Sequence, residues 1–393
     1  MNSKTKNLQY LKSSNQAAIY KHLATNGPTS RAELSREFGL SRMAITNLVS
    51  DMIQEGLLLE REPAALSKNS ARKSIALQIP DYCITAVGVL IERYSVHCNA
   101  MDIKGNEFYR DSAPIPDNAT NELLLNIILE LLNKLFEALP GYNFSGIGIS
   151  SIGPVDIETC TILHPTNFYK VSNFPLGNIL MSEFKLPVYI LNCMSAATLA
   201  EHLFGNARGH RNMVYLGFGS GVGSGTIINN KIFTGSKGFA GELGHTSIDP
   251  INGPVCSCGQ HGCIETYTST QVILRELGYS NFDEVLEAYD RNEFSLQQWA
   301  FLENYYHAVL TALLTAANIY DPEIIVVGDQ GSALIERFIT KLTRQLNCLM
   351  IQHGTRMMDL KVSAFGDKAA LIGAPCIVFD QIFARNLPPF DYS

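Results

Sequence analysis

The 393 residues carry 46 % hydrophobic and 17 % charged side chains with a net charge of −7. That is ample apolar material for real cores and too much chain for one compact domain, so two or three are expected. No apolar run approaches the ~20 residues of a membrane span, and the N-terminus has no apolar stretch ahead of a cleavage site, so no membrane insertion is expected. Nine cysteines, an odd number and mostly scattered, fit free thiols in a reducing compartment, and a cytoplasmic protein is expected.

The charge is unevenly placed. Residues 1–80 hold eleven Lys/Arg against six Asp/Glu, a local +5, so the remainder carries −12. A basic first fifth ahead of an acidic body suggests a nucleic-acid module joined to a small-molecule domain. Residues 15–26 read as a helix with Ala18, Ile19 and Leu23 at helical spacing, stopped by Gly27-Pro28. Ser30 and Glu33 form a capping box for a second helix reaching about Phe38, and Gly39 supplies the left-handed turn. Ser41 then caps a third helix over 42–54, with Ile45, Leu48, Val49 and Met52 on its buried face. The short turn between helices two and three is the geometry of a helix-turn-helix. Residues 57–61 and 72–79 read as two strands around a polar tip at 67–73, which together make a wing.

In such a module the third helix lies in the major groove. Ser41, Arg42, Thr46 and Asn47 occupy its exposed end. Arg42 suits guanine and Asn47 suits adenine or phosphate. Lys68, Arg72 and Lys73 in the wing suit phosphate or minor-groove contact. Operator DNA is the expected partner.

From residue 84 strands and helices alternate. Strands are expected at 84–90, 96–102, 145–151, 188–191, 212–216, 225–229 and 324–327. Helices are expected at 122–139, 195–203, 302–319, 333–349 and 368–379. Such alternation predicts α/β layers.

The most informative stretch is 241–269. It contains Cys256-x-Cys258-Gly-x-x-Gly-Cys263, with His245 eleven residues before the first cysteine. Three thiols and one imidazole complete a tetrahedral Zn²⁺ shell with no position left for a reactive water, so a structural zinc is expected. Gly259 and Gly262 let the chain curl around it. His261 lies between two ligands and reads as an exposed loop side chain.

Gly-Glu-Leu-Gly-His at 241–245, followed by Cys-x-Cys-Gly-x-x-Gly-Cys-x-Glu at 256–265, resembles the signature of the ROK family. That family groups sugar kinases with sugar-responsive transcription repressors. The likeness covers essentially the whole chain. It implies an actin-like, ribonuclease-H-like two-lobed body at 81–393, with the zinc knuckle at 245–263. Ahead of it, an α+β winged helix-turn-helix domain at 1–80 resembles that of the family's repressors. The family's sugar pocket maps onto Gly153, Asn167, Asn192, Glu242, His245 and Glu265. Chemically this set joins carboxylate acceptors to amide donors, which is what vicinal hydroxyls require. His245 can ligate zinc through one ring nitrogen and offer the other edge to the sugar.

The family's kinases take their base from an Asp after the Asn, where this chain reads Asn192-Cys193. Their Asp-x-Gly-Gly-Thr turn is replaced near Gly88–Glu92, which gains a carboxylate, and a later glycine run reads Gly328-Asp329-Gln330. Of the phosphate-type loops only 217–225 survives. No catalytic residue is therefore expected, and Cys193 reads as a buried, unreactive thiol. The expectation is a homodimeric or homotetrameric DNA-binding repressor of carbohydrate genes, sensing a sugar or sugar phosphate. Two alternatives stay open: a sugar kinase with an appended DNA-binding domain, and a repressor controlled by capture on a transport protein.

Overall fold

The computed structural model describes residues 3–61, 75–165, 168–351 and 354–384. The chain opens with helix α1 (Ser3–Asn26), then strand β1 (Thr29–Ser30), α2 (Arg31–Glu37), α3 (Arg42–Gln54), β2 (Leu59–Arg61) and β3 (Ala76–Gln78). Both expected caps are present. Ser30 Oγ accepts the Glu33 amide at 3.3 Å while Glu33 Oε2 accepts the Ser30 amide at 2.8 Å. Those hydrogen bonds from Ser30, its backbone amide first, hold the Glu33 carboxyl below the usual range. Ser41 Oγ accepts the Ala44 amide at 3.2 Å and starts α3. Ile45, Leu48, Val49 and Met52 are buried as their spacing predicts, together with Ile19, Leu23 and Leu34. The three strands pair antiparallel in the order β1-β3-β2. This is a winged helix, although the polar wing tip at 67–73 lies outside the described residues.

The first lobe of the body holds β4 (Thr85–Ile91), β5 (Ser95–Asp102), β6 (Glu107–Pro114), α4 (Asn121–Ala138), β7 (Phe144–Ser151), β8 (Val155–Asp156), β9 (Thr161–Ile162), α5 (Leu176–Phe184) and β10 (Val188–Asn192). Its sheet runs β10-β7-β4-β5-β6. Helix α6 (Cys193–Leu203) leads into the second lobe, with β11 (Met213–Phe218), β12 (Val222–Ile228), β13 (Lys231–Ile232) and a short 3₁₀ turn, Leu243–His245. Helices α7 (Glu265–Thr268), α8 (Thr270–Leu277), α9 (Phe282–Asp290) and α10 (Leu296–Tyr320) follow, then β14 (Ile324–Gly328), α11 (Ser332–Glu336), α12 (Ile339–Leu349), β15 (Asp359–Val362) and α13 (Ala369–Ala384). The second sheet runs β13-β12-β11-β14-β15. Each sheet mixes parallel and antiparallel pairs, β7 with β4 and β11 with β14 being parallel.

Helices α6 and α13 form the spine between the lobes. A Cβ on Gly373 would fall 2.0 Å from the Ala196 carbonyl oxygen, and one on Gly148 would fall 1.9 Å from that of Ala374. Only glycine lets α13 lie this close to both α6 and strand β7. The buried cores of α1, α3, α6 and α13 are contiguous, so the winged helix is seated on the body rather than tethered to it. Among the described residues no helix is long and apolar enough to cross a membrane.

Several boundaries differ from the sequence reading. Helix α1 starts at Ser3 rather than near residue 15, and α10 starts at Leu296, where Ser295 and Gln298 form a capping box. The segment expected as one helix over 333–349 is two, separated at Arg337–Phe338. There the Arg337 guanidinium turns away to pair with Asp290 at 2.9 Å.

Candidate metal centre, ligand cleft and DNA-binding surface

The knuckle closes on itself through backbone contacts. Ser247 bridges Cys263 and Val255 bridges His261, while the Cys256 amide donates to the Gln260 carbonyl at 2.8 Å. Gly259 and Gly262 take positive φ of 90° and 69°, as the curled loop requires. Four donor groups converge: His245, Cys256, Cys258 and Cys263 place their ligand atoms within 4.8 Å of one another. His245 Nδ1 lies 3.4 Å from Cys256 Sγ, and Cys258 Sγ lies 3.6 Å from Cys263 Sγ. Tetrahedral Zn–S bonds of about 2.3 Å put ligand sulfurs about 3.8 Å apart, so the cluster can hold such an ion. His261 is exposed, its Nδ1 sits 3.1 Å from the Gly253 carbonyl oxygen, and it is not one of the four converging donors.

The loop carrying Glu242 and His245 is pressed onto β12. A Cβ on Gly244 would lie 2.0 Å from the Val222 carbonyl oxygen, and one on Gly241 would lie 2.0 Å from that of Ser224. Glu265, just past the knuckle, accepts the Val222 amide through Oε2 at 2.9 Å. Glu242, His245 and Glu265 thus share one wall. Enclosure by surrounding chain raises the Glu242 carboxyl; His245 opposes the rise and Glu265 adds to it. Across from them, Asn192 ends β10 and caps α6, its Oδ1 accepting the Ser195 amide at 2.7 Å. Asn192 also lies against Gly153, whose bond to Pro154 is cis. The first turn of α6 joins the two walls, because Met194 packs on Gly217 of β11 and Gly223 of β12. Asn167 lies outside the described residues. A groove of about 940 Å³ between α12 and β15 contains none of these residues.

Beside Asn192, the Cys193 thiol is pushed up to about 12, by burial first and then by the negative charge of Glu92, with Asp329 adding to it. Asp329 follows β14 in a left-handed turn (φ 66°), and a Cβ on Gly219 would lie 2.2 Å from its Oδ2. Its carboxylate therefore fills the space over the glycine loop. Burial, then Glu92 and Asp367, push it up to about 6, against the Gln330 amide that it accepts at 2.7 Å. A carboxyl raised on folding binds more protons folded than unfolded, so stability falls as pH rises from about 4 to about 6 and stays lower above that. Asp329→Asn keeps the amide acceptor and tolerates the left-handed turn. It is expected to stabilise the protein by about 2–3 kcal/mol at pH 8 and by almost nothing near pH 3. Thermal melts across that range check it.

On the winged helix, Arg42, Thr46 and Asn47 are exposed on α3, whereas the Ser41 hydroxyl is engaged in the cap. Thr46 Oγ1 donates to the Arg42 carbonyl at 2.8 Å. Lys68, Arg72 and Lys73 lie outside the described residues. Sequence reasoning missed Arg31. Its guanidinium donates to Glu60 Oε1 at 2.8 and 3.1 Å and to the Thr46 carbonyl at 3.2 Å, tying α2, α3 and the wing strand β2 together. The one available signal was an arginine directly after a helix cap, which is too common to single out.

Comparison with known proteins agrees with this architecture. A family model described as "ROK family" matches residues 86–381, and one described as "Winged helix-turn-helix DNA-binding" matches 13–58. The chain is 28 % identical to a "Xylose repressor" of Caldicellulosiruptor bescii, covering 95 % of this chain and 97 % of that one. It is 31 % identical to the "DNA-binding transcriptional repressor Mlc" of Escherichia coli, covering 97 % and 96 %. Among solved structures, a ROK family transcriptional regulator described as a homolog of the E. coli MLC protein superposes with TM-score 0.73 at 22 % identity, covering 96 % of this chain and 98 % of that one. A ROK family glucokinase from Streptomyces griseus, in complex with glucose and AMPPNP, superposes with TM-score 0.63 at 23 % identity, covering 75 % and 98 %.

Proposed function

The chain belongs to the ROK family, and on that premise we propose that it is a sequence-specific DNA-binding repressor of carbohydrate genes whose affinity for operator DNA is shifted by a sugar in the cleft. The observation that carries this reading is the exposed end of α3, with Arg42, Thr46 and Asn47 free of the core, on a winged helix seated directly on the ligand-binding body. Residues 1–80 form the DNA-binding domain and 81–393 the sensing and assembly body. Gly153, Asn167, Asn192, Glu242, His245 and Glu265 hold the sugar or sugar phosphate. Lys68, Arg72 and Lys73 join Ser41, Arg42, Thr46 and Asn47 on DNA.

Zinc on His245, Cys256, Cys258 and Cys263 is structural. Four protein ligands would complete its shell, so it would supply rigidity to the loop bearing Glu242 and Glu265 and no activated water. His245 would ligate through Nδ1, the ring nitrogen beside Cys256 Sγ, and its other ring edge would then be free for the sugar. The protein works as a homodimer or homotetramer in the cytoplasm, presenting two α3 helices to half-sites about one helical turn apart, or a multiple of that.

The chain does not act as a kinase. Transfer needs a base for the sugar hydroxyl and a cradle for the nucleotide phosphates. A thiol pushed to about 12 by burial and by Glu92 is no base, and the Asp329 carboxylate fills the cradle over Gly219. The test is selection of genomic fragments on the immobilised protein. Enrichment of one symmetric sequence supports the reading, and binding indistinguishable from scrambled duplex at matched salt contradicts it. Sugar-dependent ADP release that Glu242→Ala abolishes would establish the kinase alternative instead. A DNA affinity that no sugar moves would favour capture by a transport protein.

A further inference from the structure

We propose that α6 is the rigid link between the ligand cleft and the DNA-binding module, and that Arg208, just beyond its C-terminus, is the positioning residue that delivers movement to α1. This rests on the reading that the cleft binds a sugar. The first turn of α6 meets both walls of the cleft, and the turn just beyond its C-terminal end meets α1. At its N-terminus, Asn192 both caps the helix and lies against Gly153 in the cleft. Any ligand that engages Asn192 therefore bears directly on the first turn of α6.

The C-terminal end is bolted to the second lobe by Glu201, whose side chain is fully buried. Its Oε2 accepts the Asn206 amide at 2.8 Å, and its Oε1 accepts the Ser363 hydroxyl at 2.6 Å and the Ala364 amide at 2.8 Å. Sliding the helix against that lobe would strip a buried carboxylate of its donors, so helix and lobe move together. Eleven residues of helix span about 16 Å without a flexible joint. Immediately beyond it, the Phe204 and Gly205 amides return to the carbonyls of Ala200 and Glu201, at 2.8 and 3.1 Å. His202 Nε2 lies 3.1 Å from the His210 carbonyl oxygen, which pins the same turn.

Arg208 projects from that turn and donates through Nη1 to the Thr25 carbonyl at 2.9 Å. Thr25 is in the last turn of α1, where helix carbonyls lack intrahelical partners and the dipole favours a cation. Beneath this polar tie the packing is continuous. Leu199, Leu203 and Ala207 share one buried cluster with Ile19, Tyr20 and Leu23 of α1. A second helix takes part, since Lys21 lies over the Phe383 ring of α13 at 5.8 Å. Helix α1 in turn is anchored to α3 by Lys12 and Asp51, 2.6 Å apart. The route from cleft to recognition helix is thus Asn192, α6, Arg208, α1, α3.

The test has two arms on the full-length, zinc-loaded protein. In hydrogen–deuterium exchange, Asn192→Ala, which removes the α6 cap, is expected to speed exchange at least threefold in peptides covering residues 19–26. Asn192→Asp, which keeps the cap, leaves those peptides unchanged. If Asn192→Ala melts the whole chain, Ser195→Gly loosens the same turn in its place. Unchanged exchange in α1 would overturn the link. In DNA titrations with the sugar that shifts wild-type affinity, Arg208→Ala is expected to bind sugar within twofold of wild type. The sugar-induced change in DNA affinity should shrink about tenfold, and Arg208→Lys, which retains a donor, should recover part of it. A full response in Arg208→Ala would overturn the role of Arg208. If no sugar moves wild-type DNA affinity, the effector reading fails while the exchange arm still decides the link.

Discussion

Replacing Cys258 with serine is expected to strip the protein of its metal and its response to ligand together. The cluster brings four ligand atoms within 4.8 Å, and a serine hydroxyl is a poor substitute for a thiolate toward Zn²⁺. Apparent binding energies for structural zinc in small folded units are about 10–16 kcal/mol, so losing one ligand of four costs several kcal/mol of local stability. The loss falls on one loop because the knuckle is closed by its own bridges and joined to β12 through Gly241, Gly244 and the Glu265–Val222 hydrogen bond. Metal analysis should fall from about one zinc per chain to near zero, a stoichiometry fixed by the single four-ligand shell. Exchange protection over 241–265 should collapse while peptides of α2 and α3 stay protected. Full zinc content with normal ligand response in the variant would break the connection between knuckle and cleft.

Arg42→Ala carries the second large effect. Arg42 is exposed at the first position of α3, and no hydrogen bond from its guanidinium to another protein group is seen among the described residues. A bidentate Arg–guanine contact discriminates by about 1–3 kcal/mol, so affinity for the operator should drop about 5- to 150-fold. Binding to unrelated duplex should weaken far less, with the salt slope changed by about one. Arg31→Ala is a useful contrast. Its guanidinium is spent on Glu60 and the Thr46 carbonyl, so its loss should lower domain stability as well as affinity. Melting temperatures alongside titrations separate the two.

Much of this architecture was legible because it is written in local chemistry. Ser30 with Glu33, and Ser41 ahead of Ile45, Leu48, Val49 and Met52, each name a helix end within a few residues, and the structure has both. The metal cluster was legible for the same reason, since three of its four ligands fall within eight residues. What resisted reading depends on partners far away in sequence. The break between α11 and α12 is set by Arg337 reaching Asp290, 47 residues back. The two residues of β1 form a strand only because β3 lies beside them. Strand β6 carries Glu107, Arg110 and Asp111 with little apolar signal, and exists as the edge of the first sheet. In the cleft, Asn192 and Glu242 were paired by family likeness alone, because no spacing rule spans the fifty residues between them. Asp329 could be seen as a departure from a glycine run, but not as a carboxylate resting on Gly219.

The most direct test of a sugar-controlled DNA switch is fluorescence anisotropy of the zinc-loaded protein on its selected operator, titrated with unmodified and phosphorylated sugars, for wild type and Glu242→Gln. One sugar should move the wild-type dissociation constant by up to about 150-fold, which corresponds to about 3 kcal/mol of coupling, and Glu242→Gln should bind DNA normally without that shift. Identical DNA affinity across every sugar, or an undiminished shift in Glu242→Gln, would contradict it.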